Sequence, residues 1–201
     1  MTVGTIDLPA RLLRRSQRLM DATRGVHESL DTRIIGAEPF RDREHYARLL
    51  EMQYHFHRDV DALYTMALPL PSALNLPTRR RFAWVRQDML DLGHALPVCE
   101  HPAVFGDAPI APATGIGWLW VVEGSNLGAA SLLKRAAALG LGPSFGARHL
   151  AGHLDSRGAY WKAFTTAIDA LVLDDVGERQ MMDGAQDAFA HVRVLADASF
   201  A

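Results

Sequence analysis

Apolar residues recur at helical spacing along nearly the whole chain, and the period-two alternation of a half-buried strand is almost absent. The pattern predicts a first helix from near Asp7 to about Asp31, with Pro9 in its first turn, where a missing N–H costs nothing. Leu12, Leu13, Leu19, Met20, Val26 and Leu30 form its apolar stripe. A second helix is expected from about Arg41 to Met66, carrying Tyr46, Leu49, Leu50, Phe56, Val60 and Leu63. The three prolines of PLPSALNLP then break the pattern. Thr78 is the expected cap of a third helix that ends at Gly93. The Pro- and Gly-rich segment ALPVCEHPAVFGDAPIAPATG reads as an irregular connection. A long helix follows from about Thr114 to Leu139, and two more fit Ser156 to Leu173 and Glu178 to Ala196. The sum is an all-α single domain over residues 1–201, with about six main helices.

Charge and cysteine content narrow the function. A formal charge of −2 argues against a nucleic-acid binder, which needs a basic excess to neutralise phosphates. The single cysteine, Cys99, allows neither a disulfide framework nor a thiolate zinc site, which suits a reducing compartment. No stretch approaches the roughly 20 apolar residues of a membrane span. The N-terminal residues carry no apolar core of signal-peptide length. A cytoplasmic protein without membrane association is expected.

The long fourth helix carries an anomaly, GIGWLWVVEGSNLGAASLLKRAAALG. Each glycine inside a helix costs up to ~1 kcal/mol relative to alanine, so several in one helix need a reason. At about 100° per residue, Gly124 and Gly128 fall about 20° either side of Gly117, and Arg135 returns to the same direction. Val121 is the one larger residue on that side. Two readings fit: close packing of a second helix, or a flat ligand lying against exposed backbone.

A second anomaly is His27, within LMDATRGVHESLD. Positions 27 and 31 are neighbours on a helix face, so Asp31 can fix one imidazole nitrogen and leave the other for a metal. Arg24, three residues back, can reach an anionic group beside that metal. A plain surface His–Asp pair has the same spacing. Glu51 and His55 also share a helix face, as a minimal metal candidate, whereas His55 and His57 point apart. His94, His101, His149, His153 and His191 read as loop or surface residues.

Together, ATRGVHESLD and GWLWVVEGSNLGAASLL resemble the first-helix and distal-helix signatures of the haem oxygenase family, in particular its bacterial branch associated with phytochrome chromophore supply. Trp161, Phe164 and the helix bearing Phe189 sit at spacings similar to the family's closing helices. The resemblance implies a multi-helix fold with haem sandwiched between a proximal and a distal helix. It implies His27 as the proximal iron ligand, with Arg24, Asp31, Gly117, Val121, Asn126, Arg135 and Phe189 around the cofactor. Gly124, Ser125 and Gly128 would form the distal face, where Ser125 and Asn126 hold ordered water. Arg24 and Arg135 are the first candidates for the haem propionates, with Arg11, Arg18 and Lys162 behind them.

The reaction implied is oxidative opening of haem, as both cofactor and substrate, with O2 as co-substrate. It yields biliverdin, carbon monoxide and ferrous iron. Electrons would come from an external donor such as a ferredoxin- or flavodoxin-type reductase, and the bilin would go to a phytochrome. Two departures from the family pattern stand out: Ala129 replaces a third glycine, and Ser125 stands where animal members carry an aspartate. A haem carrier without turnover and a non-haem enzyme of the same fold, di-iron or thiaminase-like, stay open as alternatives.

Overall fold

The computed structural model describes residues 13–106, 108–151 and 157–201. Its helices are α1 (Arg15–Gly36), α2 (Arg43–Val60), α3 (Phe82–Asp91), α4 (Pro112–Ala137), α5 (Arg148–Ala151), α6 (Arg157–Asp169) and α7 (Asp175–Ser199). Among the described residues there is no strand, and the only β features are isolated bridges around Gly142. The expected start of the first helix at Asp7, with Pro9 and Leu12, lies outside the described residues, as do Arg11, His153 and Ser156.

The differences at helix ends have local causes. Helix α1 runs past Asp31 to Gly36, and Glu38 with φ of 49° then turns the chain before Pro39. Helix α2 starts at Arg43 because the Asp42 carboxylate accepts the N–H of His45 at 2.8 Å. Its expected tail becomes a 3-10 turn, Asp61–Tyr64. Thr78 caps nothing: it sits in a 3-10 turn, Leu76–Arg79, and its hydroxyl donates to the Asn75 carbonyl. Gly93, with φ of 78°, takes the left-handed conformation that ends the third helix. Helix α4 opens with Pro112 in its first turn. Helix α7 begins earlier than expected because Asp174 caps it, accepting the Gly177 N–H at 2.8 Å.

Helix α7 is the central strut. Helices α4, α1 and α2 all pack on it, the α4–α7 contact being the most extensive. The close approach has a visible cause. A Cβ built on Gly117 would lie 2.2 Å from the Met181 carbonyl oxygen, and one built on Gly184 would lie 2.5 Å from that of Thr114. Backbone meets backbone where these two glycines cross. The fully buried core side chains include Tyr46, Leu50, Ile116, Leu119, Phe164, Ile168 and Met181. Helices α1 and α7 run parallel, because the ion pairs Arg15–Glu178 at 2.6 Å and Arg33–Asp197 at 2.6 Å tie their beginnings and ends in register.

Candidate functional site

That register sets His27 over α7. The His27 ring meets Phe189 edge-on, with centroids 5.7 Å apart and planes at 88°. Phe189 is buried, while the His27 side chain is 57% exposed, so the imidazole stands on the surface with one edge held. The Asp31 Oδ2 lies 3.5 Å from His27 Nδ1, an electrostatic contact that biases the proton to Nδ1 and leaves Nε2 unobstructed by Asp31. Arg24 is exposed and pairs with Asp21 at 2.7 Å. Leu19, Thr23 and Leu30, on the adjoining face of α1, are buried.

The glycine stripe of α4 divides into three environments. Gly117 and Val121 are buried, Gly117 against the backbone of α7, which is the helix-packing reading. Gly124 faces the indole of Trp161, which would sit 3.5 Å from a Cβ, an ordinary contact. Gly128 is exposed and has nothing within 4 Å of such a Cβ, which leaves the backbone bare. One stripe therefore serves packing at its start and is open at its end. Ser125 is exposed, and its hydroxyl donates back to the Val122 carbonyl at 2.7 Å. Ala129 is 3% exposed, so its methyl enters the core and does not narrow the open face as a substituted glycine there would. Arg135, at the end of α4, lies over the Phe40 ring at 4.5 Å. Arg18 is committed to Glu178 at 2.9 Å, and Lys162 is exposed on α6.

Behind this face lies a buried charge network that the sequence reading did not include. Glu123 is almost fully buried; its Oε1 accepts from the Tyr64 hydroxyl at 2.9 Å and its Oε2 from Arg79 Nη1 at 2.8 Å. Burial and the neighbouring carboxylate push the Tyr64 phenol far above its ordinary range. A glutamate inside the apolar run IGWLWVVEG is the signal that could have found it, since a buried carboxylate requires a cation or donors. Asn126 Oδ1 is buried here with no hydrogen-bond partner.

His149 corrects another expectation: it is buried, not a surface residue. Its Nδ1 lies 2.8 Å from Asp88 Oδ2, and its own N–H also donates to that carboxylate at 3.0 Å. Burial holds the pKa of His149 below the ordinary histidine value and that of the fully buried His57 well below it. His191, also expected at the surface, ties α7 to α2 through Asp59 at 2.8 Å. Cys99 Sγ stands 3.8 Å from His55 Nδ1. Among the described residues, no three His, Cys, Asp or Glu side chains come together to hold a metal ion, so Glu51 and His55 gain no further ligands.

Comparison with known proteins bears on the same surfaces. The sequence profile of the family described as Heme oxygenase matches residues 13–197. The chain belongs to the haem oxygenase family. It is 40% identical over 187 residues to Heme oxygenase PigA of Pseudomonas aeruginosa, covering 93% of each chain. It superposes on the NO- and CO-bound heme oxygenase of Neisseria meningitidis with a TM-score of 0.81 and 36% identity, over 94% of this chain and 92% of that one. The heme complex of heme oxygenase-1 from the cyanobacterium Synechocystis shares the fold at a TM-score of 0.75 and 17% identity, over 92% of each chain. The all-helical architecture is thus that of the haem oxygenases. The described residues include no helix long and apolar enough to cross a membrane.

Proposed function

We propose that this chain opens haem oxidatively to biliverdin, carbon monoxide and ferrous iron, with His27 as the residue that would hold the haem iron. The observation that carries the reading is the His27 environment: an exposed imidazole, Asp31 at Nδ1, and a buried Phe189 against the ring. An imidazole oriented through Nδ1 is the donor type that would hold haem iron through Nε2. The residues therefore fit the group. When bound, haem supplies both the oxygen-activating iron and the carbon skeleton that is cleaved.

The chain's own residues orient and restrict. Asp31 biases the His27 tautomer, and Phe189 limits rotation of the ring. Gly128 would let a flat ligand lie against α4 backbone, and its flexibility would let the helix bend as that ligand enters. Ser125, bonded to the Val122 carbonyl, would hold water on the distal side, whereas the Asn126 amide faces the buried network behind it. Arg24 and Arg135 would meet the propionates, Arg24 by leaving Asp21 and Arg135 from its place on Phe40. Gly117 and Val121 would act indirectly, by fixing α4 on α7.

We also propose a cytoplasmic setting and an external ferredoxin- or flavodoxin-type electron donor. Supply of bilin to a phytochrome rests on the joint resemblance of ATRGVHESLD and GWLWVVEGSNLGAASLL to the bacterial branch, and transfer of the product to a phytochrome chromophore domain tests it. The function itself is tested by titrating the protein with hemin and then adding reductant in air. A Soret shift followed by bilin absorption supports it. A Soret shift without bilin makes the protein a carrier, and no shift removes haem from the account.

A further inference from the structure

A small cavity of about 20 Å³ lies beside α4, lined by Arg79, Arg81, Glu123, Asn126, Arg157 and Tyr160 among others. A cavity of that size holds one water-sized particle. Its charges do not cancel. Among the described lining residues there are three guanidinium groups and one carboxylate, and Arg79 is already paired with that carboxylate, Glu123. Arg81 is 8% exposed and donates to the His149 carbonyl at 2.7 Å. Arg157 donates through Nη2 to the Leu150 and Ala151 carbonyls. Carbonyl oxygens satisfy donors without neutralising charge: buried Arg81 shares Glu123 with Arg79, and partly buried Arg157 keeps its positive charge at the edge of the cavity.

Two further features give the cavity its polar character. Among the described residues, buried Arg157 Nε and Nη1 have no acceptor and buried Asn126 Oδ1 has no donor. Burial lowers the pKa of both Arg81 and Arg157; at Arg81 the nearby Tyr64 and Glu123 oppose this and the charge of Arg157 adds to it. A water molecule would answer the unpaired atoms but not the charge.

We propose that the cavity is a binding site for one small monatomic anion of the halide class, held by Arg81 and Arg157. The Asn126 amide then turns to donate Nδ2, an exchange of oxygen and nitrogen that leaves its shape unchanged. The small cavity favours a monatomic ion over a larger oxyanion. An occupied site would brace α4 on the side of Asn126, independently of whether haem is bound.

The test is a bromide soak of crystals of the haem-free protein, with anomalous scattering to locate the ion. It is paired with thermal midpoints of the same protein in sodium bromide and sodium sulfate at matched ionic strength. An anomalous peak between Arg81 and Arg157, with a saturable rise in Tm in bromide alone, is the expected result. Asn126→Asp places a negative charge in the cavity and should abolish the saturable rise; Arg157→Gln should do the same. Sulfate should give only the unsaturating stabilisation of an excluded salt. A cavity without anomalous signal, or a bromide response equal in wild type and both variants, would overturn the proposal in favour of water.

Discussion

Adding one methyl group at two points of the same stripe should shift stability in opposite directions. In Gly117→Ala the new Cβ would start 2.2 Å from the Met181 carbonyl oxygen and 2.8 Å from the Ala185 nitrogen. Non-bonded atoms settle near ~3.5 Å, so α4 and α7 must part by more than ~1 Å. Both obstacles are backbone, which cannot rotate aside. Overpacking of a tight core costs ~1–3 kcal/mol, and this site belongs at the top of that range. Gaining alanine in a helix returns up to ~1 kcal/mol, leaving a net loss of about 2 kcal/mol. At Gly128 nothing opposes the methyl, so Gly128→Ala should gain ~0.5–1 kcal/mol. At ~2–4 °C per kcal/mol, Gly117→Ala should melt about 4–8 °C lower and Gly128→Ala about 1–4 °C higher. Urea and thermal unfolding of the haem-free protein measure both. Equal stability of Gly117→Ala and wild type, or a destabilised Gly128→Ala, would refute the division of the stripe into a packed and an open part.

Other outcomes follow from the same structure. Gly128→Ala, though more stable, should bind hemin more weakly, because its methyl stands on the face proposed for the ligand; unchanged affinity would move the ligand elsewhere. Arg79→Leu should cost ~3–5 kcal/mol by leaving Glu123 buried with only Tyr64, and adding Glu123→Leu should recover most of that loss. A double variant no more stable than Arg79→Leu would contradict it. Acid should weaken the fold below about pH 6.5. His57 and His149 are neutral in the fold, with pKa values below the unfolded value of 6.5, so the unfolded chain takes up protons first as pH falls. Their contribution is complete above pH 6.5 and declines as pH drops from there towards their folded values. Unfolding free energies at pH 8 and pH 5.5 should differ, with a smaller difference in His57→Gln. A pH-independent free energy over that window would sink this reading.

Much of this architecture was legible in the sequence because it is local. Six long helices follow from periodicity, and the pairing of His27 with Asp31 follows from the geometry of one turn. The glycine stripe was legible as an anomaly but not as a mixture, since spacing alone does not tell which of its turns another helix covers. Gly184, the partner glycine that decides the matter for Gly117, lies on a distant helix. The same limit hid His149, whose carboxylate partner Asp88 is 61 residues away and whose helix is a single turn. Glu123 was visible as a charge in an apolar run, but Arg79 reaches it from a Pro-rich segment that carries no periodic signal. Long-range polar pairs of this kind exist only once the chain has packed.

The most direct measurement is the spectrum and fate of stoichiometric hemin in wild type and His27→Ala. Wild type should give a histidine-ligated Soret band and, with reductant in air, bilin and carbon monoxide in equal amounts. His27→Ala should keep the helical fold, because that side chain is more than half exposed, yet lose the ligated spectrum and the bilin. A His27→Ala protein that retains both would contradict the assignment of His27 as the ligand on which this account rests.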